Sequence, residues 1–86
     1  MSRRQTFHHI SSAVIAVRPE YVHDVVEAIA AMEKTEVHGH QNGRIVVVLE
    51  GESTGELGDR LTAMAKLDGV ISANMVFEHV EEVEGA

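Results

Sequence analysis

Six histidines are the side chains best suited to chemistry in this sequence. His8 and His9 are adjacent, and His38 and His40 stand two apart, where a strand would put them on one face. Neutral imidazoles are good ligands for zinc or nickel. Yet no HxxxH or HExxH pair falls in a helical stretch and there is no cysteine, so these histidines read as polarity on a solvent-facing edge and no metal is assigned. The carboxylates show no spacing that argues for an acid–base pair. Ser11, Ser12, Ser53 and Ser72 lack the strand–turn–helix setting of a nucleophile. The Gly51–Gly58 segment lacks the closing Gly-Lys-Ser/Thr of a phosphate loop. No catalytic residue and no cofactor is assigned, and the chain reads as a binding module, not an enzyme.

The composition narrows the partners. Eighty-six residues with 44% hydrophobic content form one domain with one modest core. The absence of cysteine favours a reducing compartment, and no apolar run approaches the ~18 residues of a membrane-spanning helix. The net charge of −7 and only three aromatics, Phe7, Tyr21 and Phe77, oppose nucleic-acid binding. That charge is uneven. Through Leu49, five acidic residues (Glu20, Asp24, Glu27, Glu33, Glu36) balance five basic ones (Arg3, Arg4, Arg18, Lys34, Arg44); from Glu50 onward nine acidic residues face only Arg60 and Lys66. A basic partner fits this surface, and a solubilising tail explains part of it.

The elements follow from periodicity. Residues 1–9 read as a flexible polar arm. Ile10–Val17 is β-branched and strand-like, and Arg18-Pro19 ends it and opens a helix. Val22, Val25, Val26, Ile29 and Met32 then repeat at helical spacing. Thr35–His40 and Arg44–Glu50 form a hairpin around Gln41-Asn42-Gly43. Ser53 or Thr54 caps a second helix striped by Leu57, Leu61, Met64 and Leu67, which Gly69 closes. Val70–His79 is the last strand, and residues 81–86 form an acidic, frayed tail. The domain proper spans residues 10–80. The order is a ferredoxin-like α+β βαββαβ sandwich, with a four-stranded antiparallel sheet ordered 4-1-3-2 and both helices on one face.

The other face has nothing to cover it. Strand parity puts Ala13, Ile15, Val17, Ile45, Val47, Leu49, Ile71, Ala73, Met75 and Phe77 on the helix side. The open side then receives Ile10, Ser12, Val14, Ala16, Arg44, Val46, Val48, Glu50, Ser72, Asn74, Val76 and Glu78. Valine is also simply a good strand former, but a contiguous apolar centre of Val14, Val46, Val48 and Val76 fits a docking platform for a peptide or a second copy. The candidate peptide-binding residues are Ser12, Val14, Val46, Val48, Glu50, Asn74, Val76 and Glu78. Glu50 and Glu78 are expected at one end to receive basic side chains, with Glu81 and Glu82 adding weaker attraction.

Three stretches carry a family resemblance: Gly43-Arg44-Ile45-Val46-Val47-Val48-Leu49-Glu50, Leu67-Asp68-Gly69-Val70-Ile71-Ser72-Ala73, and Phe77-Glu78-His79-Val80-Glu81-Glu82. From about Ile10 to Glu82 the chain resembles the NapD family, chaperones of the periplasmic nitrate reductase. The resemblance implies a ferredoxin-like fold that binds the twin-arginine signal peptide of the nitrate reductase catalytic subunit. Binding would delay export until the molybdenum cofactor and iron–sulfur cluster are inserted, the chaperone carrying neither. A short hairpin around Gln41–Gly43 and an unusual N-terminal arm depart from that pattern.

That arm, Ser2-Arg3-Arg4-Gln5-Thr6-Phe7, itself looks like a twin-arginine export motif. A true signal continues into a longer apolar segment, whereas Ile10–Val17 runs straight into Arg18-Pro19-Glu20. The chain is therefore expected to stay in the cytoplasm, without membrane insertion, and the sequence assigns no oligomeric state. The alternative function on the same topology is an amino-acid-sensing ACT-like regulatory module, although such modules are usually fused to an enzyme or DNA-binding domain.

Overall fold

A β-rich apolar segment, a proline and an amphipathic stripe set the first half of the fold. The computed structural model describes residues 5–84. The strands are β1 (Gln5–Val17), β2 (Thr35–Gln41), β3 (Arg44–Gly51) and β4 (Val70–Glu84), with helices α1 (Val22–Ala30) and α2 (Thr54–Ala65) between them. A 3₁₀ turn over Pro19–Tyr21 leads into α1, with Pro19 supplying the fixed φ of its first position. The sheet is antiparallel throughout and ordered β2-β3-β1-β4, the 4-1-3-2 order read from the other edge.

The core lies between this sheet and the two helices. Ala13, Ile15 and Val17 from β1, and Ile45, Val47 and Leu49 from β3, are buried against Val25 and Ile29 of α1 and Leu57 and Met64 of α2. Ser53 caps α2 by accepting from the Glu56 N–H at 3.1 Å.

Two glycines hold the far end together. Asn42 (φ 53°) and Gly43 (φ 76°) form the two-residue turn of the β2–β3 hairpin, both at the positive φ that a type I′ turn requires. The Gly43 carbonyl accepts from the Val17 N–H at 2.7 Å, which docks the turn on the end of β1. Gly69 (φ 89°) packs under the Tyr21 ring, where a Cβ would sit 2.2 Å from a ring carbon.

The structure departs from the sequence expectations in two places. First, β1 starts at Gln5 rather than Ile10, and β4 runs to Glu84 rather than stopping near His79. Gln5–His9 pair with Val80–Glu84, where a loose arm and a frayed tail were expected. Since β3 ends opposite His9, the outer part of this pairing is a two-stranded ribbon projecting beyond the sheet. The molecule is correspondingly long, 55 × 17 × 16 Å. Arg3 and Arg4 lie outside the described residues.

Second, β4 carries two irregularities. Ser12 pairs with Phe77 and Ala13 with Met75, so Val76 is an extra residue; Ala16 pairs with Ser72 and Val17 with Val70, so Ile71 is another. An extra residue inverts the alternation beyond it. Ile71 is therefore not in the core but 69% exposed. Phe77 shares the open face with its partner Ser12, and Glu78 shares the helix-side face with its partner Ser11. The parity expected for Phe77 and for Glu78 is reversed.

Candidate functional site

The pairing register arranges the open face in rows across the sheet. Gln41, Arg44, Ala16 and Ser72 form the row at the hairpin end. Next come Gly39, Val46, Val14 and Asn74, then Glu36, Val48, Ser12 and Phe77. Beyond β2 the rows narrow to Glu50, Ile10 and His79, and finally to His8 and Glu81 on the ribbon. Of the residues singled out from sequence, Ser12, Val14, Val46, Val48, Glu50 and Asn74 fall together on this face. Val76 is the bulge residue, 60% exposed and without a cross-strand partner. Glu78 is on the opposite face, its carboxylate 3.9 Å from Nδ1 of His9.

Phe77, His79 and His8 occupy the face instead, and parity reasoning missed all three. Nothing in the string Met75-Val76-Phe77 marks the bulge, because valine and phenylalanine are equally good strand residues and no glycine interrupts them.

Chemistry changes along the face. The hairpin end carries Arg44. The middle is apolar, with Val46 42% exposed, Phe77 56% exposed, and Val14 and Val48 half-buried beside them. Gly39 contributes no side chain to its row, which helps open a shallow groove of about 570 Å³ lined by Val14, Val46, Arg44, His38 and His40. The ribbon end carries Glu50 and Glu81 with His8 and His79. From the Glu50 row to the Val46 row is four residues, or ~13 Å at the usual strand rise.

Glu50 is the best-anchored charge on this face. Its N–H donates to the Lys34 carbonyl at 2.9 Å. Its own carbonyl accepts from Arg60 of α2, whose guanidinium also grips Glu56. Its carboxylate projects on the open side and accepts from Nε2 of His8 at 2.8 Å. Behind it, the Glu56 carboxyl is held below its ordinary value, chiefly by the Glu52 N–H at 3.2 Å, then by the Arg60 hydrogen bond and the charge of Lys34 at 3.8 Å.

The histidines show no metal-binding constellation. His38 is the irregular residue between Val37 and Gly39 and lies 3.4 Å from the Glu36 carboxylate, whereas His40 pairs opposite the core residue Ile45. Among the described residues no three His, Asp or Glu side chains have metal-holding geometry. No helix of the described chain is long and apolar enough to cross a membrane.

The family model described as NapD protein matches residues 8–82. The chain belongs to the NapD family. A curated relative, the Chaperone NapD of Paracoccus pantotrophus, is 45% identical over 74 residues, covering 86% of this chain and 66% of its own length. The solution structure of the E. coli Tat proofreading chaperone protein NapD superposes with a TM-score of 0.77 over 81% of this chain and 76% of that one. At 22% identity that likeness carries the fold, and it agrees with the sheet order and helix placement of this NapD family member.

Proposed function

We propose that this NapD family member is a cytoplasmic, non-enzymatic chaperone that binds the twin-arginine signal peptide of the periplasmic nitrate reductase catalytic subunit. Occupying that peptide delays export until the subunit's cofactors are in place. The observation that carries this reading is the gradient on the open face. A signal peptide pairs a cationic end with an apolar run, and the face pairs an anchored carboxylate with an apolar middle.

The arginines sit at the ribbon end, where Glu50 is the principal carboxylate and Glu81 adds to the attraction; Glu78 is excluded because it lies on the other face. Arg44 at the hairpin end disfavours the reverse orientation. The apolar run then lies over Ile10, Val48, Phe77, Val14 and Val46, reaching toward the groove beside Gly39.

Isothermal titration with the signal peptide of a nitrate reductase encoded nearby tests the reading. Saturable binding that is weakened when the paired arginines become glutamines supports it. Absence of binding to the intact peptide overturns it.

A further inference from the structure

The carboxylate assigned to the peptide already has an occupant. His8 reaches Glu50 from the β1 strand of the ribbon and donates Nε2–H to Oε1 at 2.8 Å, with both side chains partly exposed (39% and 43%). We propose that His8 is a built-in competitor for Glu50, so that a peptide arginine binds by displacing the imidazole and His8 lowers the affinity for any incoming cation by one common factor. The inference rests on the signal-peptide reading for the identity of the incoming cation.

The surroundings make His8 the partner that moves. Glu50 is fixed through its backbone on both sides, by Lys34 and by Arg60. His8 stands past the last β1–β3 pair, His9 with Gly51, on a stretch held by β4 alone. The charged or titratable groups sharing its face are Glu50 on β3, and Glu81 directly opposite and His79 diagonal on β4. Both helices pack on the opposite face, around the core. Glu81, at the ~5 Å spacing of directly opposed strand residues, gives the displaced imidazole an alternative acceptor.

Arginine is the cation best able to displace the imidazole, because of donor geometry at Glu50 itself. An imidazole offers Glu50 one N–H, and a lysine ammonium acts as a point charge, so exchanging one for the other gains little. A guanidinium offers two parallel N–H donors that match both carboxylate oxygens. It gains a second bond while displacing the first, whereas the cost of evicting His8 is the same for either cation and leaves their ratio to Glu50 alone.

The test measures affinities of the wild type, His8→Ala, Glu50→Gln and the double variant for the arginine signal peptide and its double-lysine counterpart. His8→Ala is expected to tighten both peptides by the same factor, roughly three- to ten-fold, the span of one net hydrogen bond, and to leave the arginine-over-lysine ratio unchanged. In the Glu50→Gln background His8→Ala should change nothing. Unchanged or weaker binding by His8→Ala, or the same tightening without Glu50, overturns the proposal. His8→Gln, which retains a neutral amide donor on a more flexible side chain, should fall between wild type and His8→Ala and serves if the alanine variant folds poorly. Titration of the wild type with a blocked Arg-Arg dipeptide, followed on the His8 ring resonances, separates this inference from the functional reading. If the intact signal peptide fails to bind but the dipeptide shifts His8 and Glu50 together, the signal-peptide function falls and the exchange stands. A His8 ring that does not respond to the dipeptide overturns the exchange.

Discussion

Val48 and Ile45 are three residues apart on β3, and the sheet gives them opposite fates. Val48 is half-buried on the open face between Ser12 and Glu36, while Ile45 is fully enclosed by the helices. Val48→Glu places a charge where water can still solvate it, next to the apolar run of a bound peptide. It should weaken signal-peptide binding at least ten-fold, about 1.4 kcal/mol, with a melting temperature close to wild type. Ile45→Glu buries an unpaired carboxylate and should unfold the domain, as such burial costs several kcal/mol. Circular dichroism beside titration calorimetry reads both outcomes, and an unfolded Val48→Glu protein would show that the open face is not open. Glu56 makes a different kind of prediction. Its carboxyl is held below its ordinary value of 4.5 by the Glu52 N–H, Arg60 and Lys34, so folding favours the ionised form. That stabilisation is present above pH 4.5 and is lost as pH falls through the lowered folded value. Glu56→Gln should therefore melt below wild type at neutral pH, and the gap should close under acid, as thermal melts across pH 2–7 would record.

Strands and helices were legible wherever side chains alternate against a single apolar partner layer. Ile45, Val47 and Leu49 alternate with Val46 and Val48, the Asn42-Gly43 turn sets their register, and the Leu57–Met64 stripe names the face of α2 that meets them. β4 was legible only in its first part. Ala73 and Met75 do face the core, but Val76 is inserted between Met75 and Phe77, and its side chain has the same strand preference as its neighbours. The ribbon was invisible for a related reason. Gln5–His9 and Val80–Glu84 are mostly polar and join through backbone pairing, which leaves no periodic apolar trace in the sequence. The bulge yields an element-scale prediction. Removing Val76 should delete the extra residue while leaving Met75 opposite Ala13 and Phe77 opposite Ser12, because those pairs already obey simple alternation without it. The shortened chain should fold with cross-strand nuclear Overhauser contacts between Ser12 and Phe77 intact. A switch of contact from Phe77 to Glu78 would show that the bulge, and not the pairing on either side of it, sets the register.

At the scale of the whole molecule, the excess negative charge lies at one end of a body 55 Å long. β1 runs from the ribbon to the hairpin end, while β3 and β4 run toward the ribbon, so Glu50 and Glu81 gather at one end of the open face and Arg44 stands at the other. The six residue steps from Arg44 to Glu50 correspond to ~20 Å, more than twice the screening length of about 8 Å at physiological salt. A cationic peptide end therefore senses the two ends separately, and one orientation is favoured. With a spin label placed beside the paired arginines, paramagnetic broadening should fall on His8, Ile10, His79 and Glu81 and spare Asn42 and Arg44. Glu50→Gln combined with Glu81→Gln should lower affinity about ten-fold, the loss of one or two charge-assisted hydrogen bonds, and should flatten its salt dependence. Glu78→Gln should do neither, since that carboxylate faces the helix side beside His9. Broadening centred on Arg44, or a Glu78→Gln loss equal to that of the Glu50 and Glu81 pair, would place the arginines elsewhere and remove the charge gradient as the feature that orients the peptide.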